Sequence, residues 1–452
     1  MKKAAFHSLG CKVNSYETEA MEQMLEEAGY ELVPFAPGAD VYVINTCSVT
    51  NVADRKSRQM LHRAKKMNPD AVVVAAGCYV QAAGAELAKK DEAVDIVVGN
   101  DRKGELVEIL ERHFKEHGSR KESEEAEVYL KDIGASGEYE RLHIDRIADH
   151  TRAFIKVQDG CNQFCSYCII PYTRGRVRSR RPEEVLEEIR GLAGRGYKEM
   201  VLTGIHLSSY GVDFDTPMSL LDLVEAIHEI EGVERIRLGS LEPRLITEET
   251  AERLAGLKKF CPHFHLSLQS GCDSVLQRMN RKYTTEEYLS RCDILRKWFD
   301  RPAITTDVIV GFPGETEEEF AATEGFLKQV HFYEMHVFKY SRRQGTRADR
   351  MPDQVPEAVK AARSDRLLKL EQEMSDEYRR QFLGGPVTVL LEEEAVVDGR
   401  KMMTGFTREY VKCAVPWQPG MERGTMAEGR AVRLLDGGLL EVEKIPFTNP
   451  EL

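Results

Sequence analysis

The chain reads as an α/β protein in three parts: an N-terminal parallel α/β block, a partial (β/α)6 barrel and a small C-terminal β-barrel. Three observations predict this. Short apolar runs alternate with helical patterns from residue 4 to about residue 345, which argues for parallel sheets. Six strand–helix units fall within 151–345, too few to close the eight-fold barrel. From about residue 384 short strands are separated by Gly-rich turns, among them Asp436-Gly-Gly438, as in a small barrel.

The first block, residues 1–115, carries the runs Ala4–Leu9, Asp40–Thr46 and Ala71–Ala76, with a fourth strand ending near Val98. The charged stretch Glu111–Glu127 reads as a linker, so residues 116–150 form linker and crossover. The second block, 151–383, carries strands Phe154–Val157, Met200–Thr203, Arg235–Gly239, His263–Gln269, Ile304–Gly311 and Glu334–Tyr340. Helical patterns lie between them, and Pro182 just inside a helix start fits its usual place. Helix Glu357–Phe382 leads to the third block, 384–447, with strands Val387–Leu391, Phe406–Val411, Ala431–Leu435 and Leu440–Lys444.

Of 452 residues, 42% are apolar, enough for real cores in two to three domains. No run approaches 18 apolar residues, so no membrane span and a cytoplasmic location are expected. Ten cysteines in such a chain point to metal or redox use rather than a disulfide framework. The net charge of −12 does not advertise nucleic acid, but it is unevenly spread. Arg174-Gly-Arg-Val-Arg-Ser-Arg-Arg181 holds five arginines in eight residues. Arg174, Arg176, Arg178, Arg180 and Arg181 are therefore candidate contacts to a polyanion, the alternative being a solvated face.

Cys161, Cys165 and Cys168 stand as C-x3-C-x2-C directly after the first barrel strand. A cubic [4Fe–4S] cluster takes four Cys ligands as a rule; three leave one iron open to a small molecule. Zinc is the alternative, but a structural zinc wants four ligands and no fourth stands near. Cys11, Cys47 and Cys78 each close one apolar run of the first block. In parallel sheets ligands bind beyond the carboxyl ends of the strands. The three should therefore converge as a second three-ligand site, the alternative being buried structural cysteines. Cys261, Cys272, Cys292 and Cys413 share no spacing and read as packing residues. No Ser/His/Asp or paired-carboxylate constellation stands out, and His7, His206 and His263 near strand ends read as structural.

The three-cysteine loop resembles the signature of the radical S-adenosylmethionine (SAM) enzymes. The whole chain is similar to the radical SAM methylthiotransferase superfamily. Matching residues include Leu9-Gly-Cys-Lys-Val-Asn14, Asn45-Thr-Cys-Ser-Val49, Gly77-Cys78, Gly160–Cys168, Ile170-Pro-Tyr-Thr-Arg-Gly175, Ser267-Leu-Gln-Ser-Gly271, Arg278-Met-Asn-Arg281 and Asp307–Glu315. Cys11-Lys-Val-Asn14 resembles the MtaB branch, which acts on threonylcarbamoyladenosine. The isopentenyladenosine branch is the alternative substrate class. A non-catalytic metal-binding RNA-binding protein is the alternative of another kind.

The resemblance implies two [4Fe–4S] clusters and SAM as cofactors, with a C-terminal TRAM domain. It implies the anticodon stem-loop of tRNA as substrate, modified at adenosine 37, and an electron donor such as flavodoxin or ferredoxin. One SAM would supply a methyl group to sulfur at the auxiliary site. A second would be split to a radical that removes hydrogen from C2 of the adenine. Thr203, Gly204, Glu242, Gln269 and Ser270, at barrel strand ends, are candidate SAM contacts, the alternative being strand-end capping. Arg342, with Arg343, is the candidate clamp for the threonylcarbamoyl carboxylate, the alternatives being an exposed pair or a phosphate contact.

Overall fold

The computed structural model describes residues 1–117, 125–135, 137–146 and 151–444. Six parallel strands form the N-terminal sheet: β1 (Lys3–Ser8), β2 (Glu31–Leu32), β3 (Val41–Thr46), β4 (Val72–Gly77), β5 (Ile96–Val98) and β6 (Glu127–Tyr129), in the order β2-β1-β3-β4-β5-β6. β3 and β4 are buried along their whole length, as continuous apolar runs in a sheet covered on both faces should be. Helices Lys12–Glu27, Asn51–Met67 and Cys78–Lys90 follow β1, β3 and β4. The expected linker is corrected here. Helix Leu106–His117 runs through the boundary placed at residue 115, and β6 pairs with β5. The buried stripe Leu106, Ile109, Leu110 and His113 holds the charged residues up to His117 in place, which composition alone does not reveal. Residues 118–124 lie outside the described residues.

The second block is built on β7 (Ala153–Asp159), β8 (Arg178–Ser179), β9 (Glu199–Gly204), β10 (Arg235–Leu238), β11 (His263–His265), β12 (Ala303–Val310) and β13 (Glu334–Lys339). Hydrogen-bonded ladders run β10-β9-β7-β8 and β11-β12-β13. Parallel bridges Ile236↔Phe260 and Leu241↔Leu266 join them, giving six parallel staves with β8 antiparallel on the edge of β7. Side chains alternate across the wall. Ile155, Val157, Met200, Leu202, Ile236, Leu238, Phe264, Ile304, Val308 and Met335 share the core beneath the outer helices. Lys156, Thr203, Arg237, His265, Asp307 and His336 take the opposite, lumen-facing positions.

Two neighbours close this open barrel. The N-terminal block spans the gap between its first and last staves. Glu17 accepts from Lys156 Nζ of β7 at 2.7 Å, while Arg343, just past β13, donates to Asp54 at 2.7 Å and Ser48 at 2.7 Å. The third block is a closed barrel of β14 (Pro386–Val397), β15 (Arg400–Phe406), β16 (Lys412–Pro416), β17 (Met426–Leu434) and β18 (Leu440–Lys444), ordered β14-β15-β16-β18-β17. It floors the lumen at the amino ends of the staves. Arg235 donates to the Phe406 and Thr388 carbonyls, Arg237 to the Arg408 carbonyl, and the rings of His263 and Tyr410 lie 5.0 Å apart. The expected strand Phe406–Val411 is instead the turn between β15 and β16. Thr407 Oγ1 accepts from the Val411 amide and Tyr410 adopts φ 69°.

Candidate active site

Cys161, Cys165 and Cys168 lie on the loop after β7, at the carboxyl end of the staves. The loop is held from below by the segment Arg278-Met-Asn-Arg281. The Ser166 amide donates to the Met279 carbonyl at 2.9 Å and its hydroxyl to the Arg278 carbonyl at 2.7 Å. Asn280 donates to the Phe164 carbonyl at 3.0 Å. Burial, with the neighbouring sulfurs, pushes the Cys161 thiol up to about 11 and the Cys168 thiol to about 12. Bringing these two thiols to the anionic state needs cationic company. Arg281 provides it: Nη1 donates to Cys165 Sγ at 3.3 Å, its other donors go to Tyr283 Oη and the Ser267 carbonyl, and no carboxylate pairs with it among the described residues. The Gln163 amide adds a donor to Cys161 Sγ at 3.4 Å. Three sulfurs on one loop, with donors to Cys161 and Cys165 in place, fit an iron–sulfur cluster with one open iron.

Cys11, Cys47 and Cys78 follow β1, β3 and β4, which are neighbours in the sheet. A Cβ on Gly10 would lie 3.0 Å from Cys47 Sγ, so Cys47 packs against the residue before Cys11. Gly10 has φ 111°, open to glycine and closed to most others. Cys78 Sγ accepts from Arg174 Nε at 3.2 Å and from Asn100 Nδ2 at 3.6 Å. Two donors on one sulfur suit a thiolate ligand, as do three cysteines on one sheet edge.

The arginine run divides sharply, and most of its expected phosphate contacts are corrected. Arg174 is fully buried. It holds Glu17 at 2.8 Å and Asp159 at 3.1 Å and donates to Asn14 Oδ1 at 2.8 Å. Arg178 grips Asp101 at 2.6 and 2.7 Å. Arg180 pairs with Glu188 at 3.0 Å and bonds Tyr16 Oη. All three are interior cross-links between blocks, out of reach of RNA. Arg176 and Arg181 remain exposed; Arg176 stacks 4.7 Å over Phe164 beside the cluster loop, and Arg181 lines a polar cleft of about 670 Å³.

The SAM candidates also separate. Thr203 and Gly204 end β9 beside Gln158, whose Oε1 would lie 2.9 Å from a Cβ on Gly204. Glu242 sits 2.9 Å from His206 Nε2; burial raises its pKa, but His206 and Arg281 together hold it below the usual carboxylate range. Gln269 has φ 74° and bridges to β12. Ser270 is fully buried, with its hydroxyl 3.2 Å from Thr323 and accepting from the Cys272 amide, so it packs a helix and does not face the lumen. The carboxylate clamp is likewise corrected: both Nη groups of Arg343 are held by Asp54, Asn51 and Ser48, and Arg342 is an exposed partner of Asp349 at 2.7 Å.

Three groups went unsingled in the sequence. Arg281 steadies the cluster loop. His265, Asp307 and His336 bring their ligand atoms within 4.8 Å of one another on three adjacent staves, visible only once β11, β12 and β13 are paired. Lys12 enters the lumen from the helix that starts after Cys11, 5.9 Å over the Phe154 ring; burial, then Arg152 and Arg237, lower its pKa to about 8.

The Radical SAM superfamily matches residues 155–327, and "Uncharacterized protein family UPF0004" matches residues 3–99. The chain is 45% identical over 414 residues, 91% of its length and 90% of the relative's, to threonylcarbamoyladenosine tRNA methylthiotransferase MtaB of Bacillus subtilis. It is 42% identical over 87% of its length, and 93% of the relative's, to the MtaB of Aquifex aeolicus. It is 36% identical over 90% of its length, and 89% of the relative's, to tRNA-2-methylthio-N(6)-dimethylallyladenosine synthase of Clostridium novyi. Among solved structures, the radical SAM methyltransferase TsrM of Kitasatospora setae, with cobalamin and a [4Fe–4S] cluster bound, shares the fold at TM-score 0.55 and 16% identity, covering 88% of this chain and 82% of that one. No helix among the described residues is long and apolar enough to cross a membrane. The chain belongs to the radical SAM tRNA methylthiotransferases, enzymes that use SAM and iron–sulfur chemistry.

Proposed function

We propose that this chain adds a methylthio group to C2 of N6-threonylcarbamoyladenosine at position 37 of tRNA, with a [4Fe–4S] cluster at each three-cysteine site. The observation that carries the reading is the short bridge between the sites. Arg174, six positions after Cys168, donates to Cys78 Sγ, and Asn100 beside Cys78 donates to the Thr173 carbonyl. One continuous run of chain thus ties both sets of sulfurs together. Substrate choice is supported by relatives: those named for threonylcarbamoyladenosine reach 45 and 42% identity, against 36% for the Clostridium novyi dimethylallyl relative.

When bound, SAM and the reduced cluster supply the radical chemistry that an unactivated aromatic C–H requires. The chain's own residues do the rest. Arg281 and the 278–281 segment fix the cluster loop. Thr203, Glu242 and Gln269 offer polar contacts at the strand ends. The N-terminal block and the C-terminal barrel keep bulk water from the side and floor of the lumen. Arg176 and Arg181 contact tRNA phosphates. A flavodoxin or ferredoxin supplies electrons, and the place of action is the cytoplasm.

Nucleoside mass spectrometry of tRNA from cells lacking the protein tests the reading. The methylthio derivative of threonylcarbamoyladenosine should vanish, its precursor accumulate, and the wild-type chain restore it. Loss of the methylthio-isopentenyl nucleoside instead would establish the other branch. An unchanged nucleoside profile would leave only the non-catalytic reading.

A further inference from the structure

Several cations meet with Lys12 at the floor of the lumen, and all but one are spoken for. Arg237 is held by Glu199 at 2.7 Å and by the Arg408 and Thr407 carbonyls. Arg235 is held by the Phe406 and Thr388 carbonyls. Arg152 pairs with Glu392 at 2.6 Å and stacks 4.9 Å from the rings of Phe406 and Tyr410. Lys12 is the exception. Its one recorded contact is the Phe154 ring, and no hydrogen bond or carboxylate pair engages it among the described residues. The nearby carboxylate, Glu199, is already taken by Arg237 and, at 3.5 Å, by Arg235. An ammonium carries three donors and is costly to withdraw from water without a partner. Here it is offered to whatever enters the lumen.

The chemistry of adenine says what would meet it. C2, where sulfur is delivered, and C6, which carries the N6 substituent, both flank ring nitrogen N1. A base positioned for delivery from the auxiliary site therefore brings its N6 substituent beside that site too. Lys12 directly follows Cys11. The two arginines first considered for the carboxylate are engaged elsewhere, Arg343 by the N-terminal block and Arg342 at the surface.

We propose that Lys12 is the centre of an anion subsite that takes the carboxylate of the substrate's N6 substituent. This rests on the threonylcarbamoyladenosine reading above. An uncharged hydrocarbon substituent would leave the half-buried ammonium without a partner, so the same residue selects against it.

The test crosses a change in the protein with a change in the ligand. Anticodon stem-loops carry N6-threonylcarbamoyladenosine or the same group with its carboxylate converted to a carboxamide. Reconstituted wild type, Lys12→Met and Lys12→Arg are titrated with each by fluorescence anisotropy, with visible absorbance confirming cluster content. Removing the carboxylate should weaken wild-type binding by about 10- to 100-fold, the range of a charge-assisted hydrogen bond. Lys12→Met should bind the carboxylate RNA about as weakly as wild type binds the carboxamide, and should not distinguish the two; Lys12→Arg should keep the preference. Additive effects of the two changes, or a wild type indifferent to the carboxamide, overturn the subsite. The second outcome needs no variant to fold. Mass spectrometry of wild-type product on the two natural substrates separates the failures: methylthiolation of threonylcarbamoyl RNA upholds the substrate reading whatever Lys12 does, and methylthiolation of isopentenyl RNA alone removes it.

Discussion

Cys161, Cys165 and Cys168 lie within eight residues on one loop, whereas Cys11, Cys47 and Cys78 are spread over 68 residues and meet because β1, β3 and β4 adjoin in one sheet. The loop site takes its shape from local backbone, steadied by Arg281 and the 278–281 segment. The strand-end site has no local shape; it exists only when the sheet is formed and Glu17, Asn14 and Arg174 are packed behind it. One site is therefore written in spacing and the other in topology. Local changes should silence the first cleanly, while the second should respond both to its ligands and to the packing beneath them.

The sharpest break of that contrast is the loop triple variant. Cys161, Cys165 and Cys168 changed to Ala should abolish formation of 5′-deoxyadenosine from SAM and leave the iron of one cluster, measured by chromatography and iron analysis. Retention of both clusters after anaerobic reconstitution would disprove the ligand assignment. Next, Cys11, Cys47 and Cys78 changed to Ala should leave SAM cleavage and stop methylthio transfer, read by nucleoside mass spectrometry on the same samples.

Arg174→Met probes the packing beneath the strand-end site. Glu17 and Asp159 would remain buried with less positive charge, a loss of about 3–5 kcal/mol for a broken buried pair, measured by urea unfolding. A loss under about 1 kcal/mol would show that Lys156, 2.7 Å from both carboxylates, and the buried Lys103, 2.9 Å from Glu17, suffice without it. A smaller effect is expected from Arg176→Ala with Arg181→Ala. The slope of log affinity for tRNA against log salt should flatten by about 1–2, with stability unchanged. The smallest is Arg342→Ala. An exposed pair contributes about 0–1 kcal/mol, so turnover of modified tRNA should stay near wild type; a tenfold drop would return Arg342 to the substrate site.

The same division governs what could be read from the sequence. The C-x3-C-x2-C spacing and the apolar runs ending at Cys11, Cys47 and Cys78 are local patterns, and they were legible. Six barrel strands were legible for the same reason, each being an apolar run of strand length. The arginine run was not. Arg174, Arg178 and Arg180 find Glu17, Asp101 and Glu188, and the first two of these partners lie 157 and 77 positions away. A charge run looks alike whether solvated or buried against distant carboxylates. Lys12 was visible only as part of a motif; its isolation follows from how the barrel wall, the C-terminal barrel and Glu199 are arranged around it. Residues 406–411 were misread because Phe406, Thr407, Tyr410 and Val411 are residue types that favour strands, yet here they form the end of one strand and the turn after it.

The floor and side wall of the lumen bear on modularity. Arg235 and Arg237 of the central block are satisfied by carbonyls of the C-terminal barrel, and Arg174 by carboxylates on both sides of the boundary between the first two blocks. Cutting the chain at either junction would strand guanidinium groups that folding has dehydrated. The three segments that look separable in sequence should therefore unfold in a single cooperative transition, and a fragment ending near residue 383 should be judged first by whether it folds.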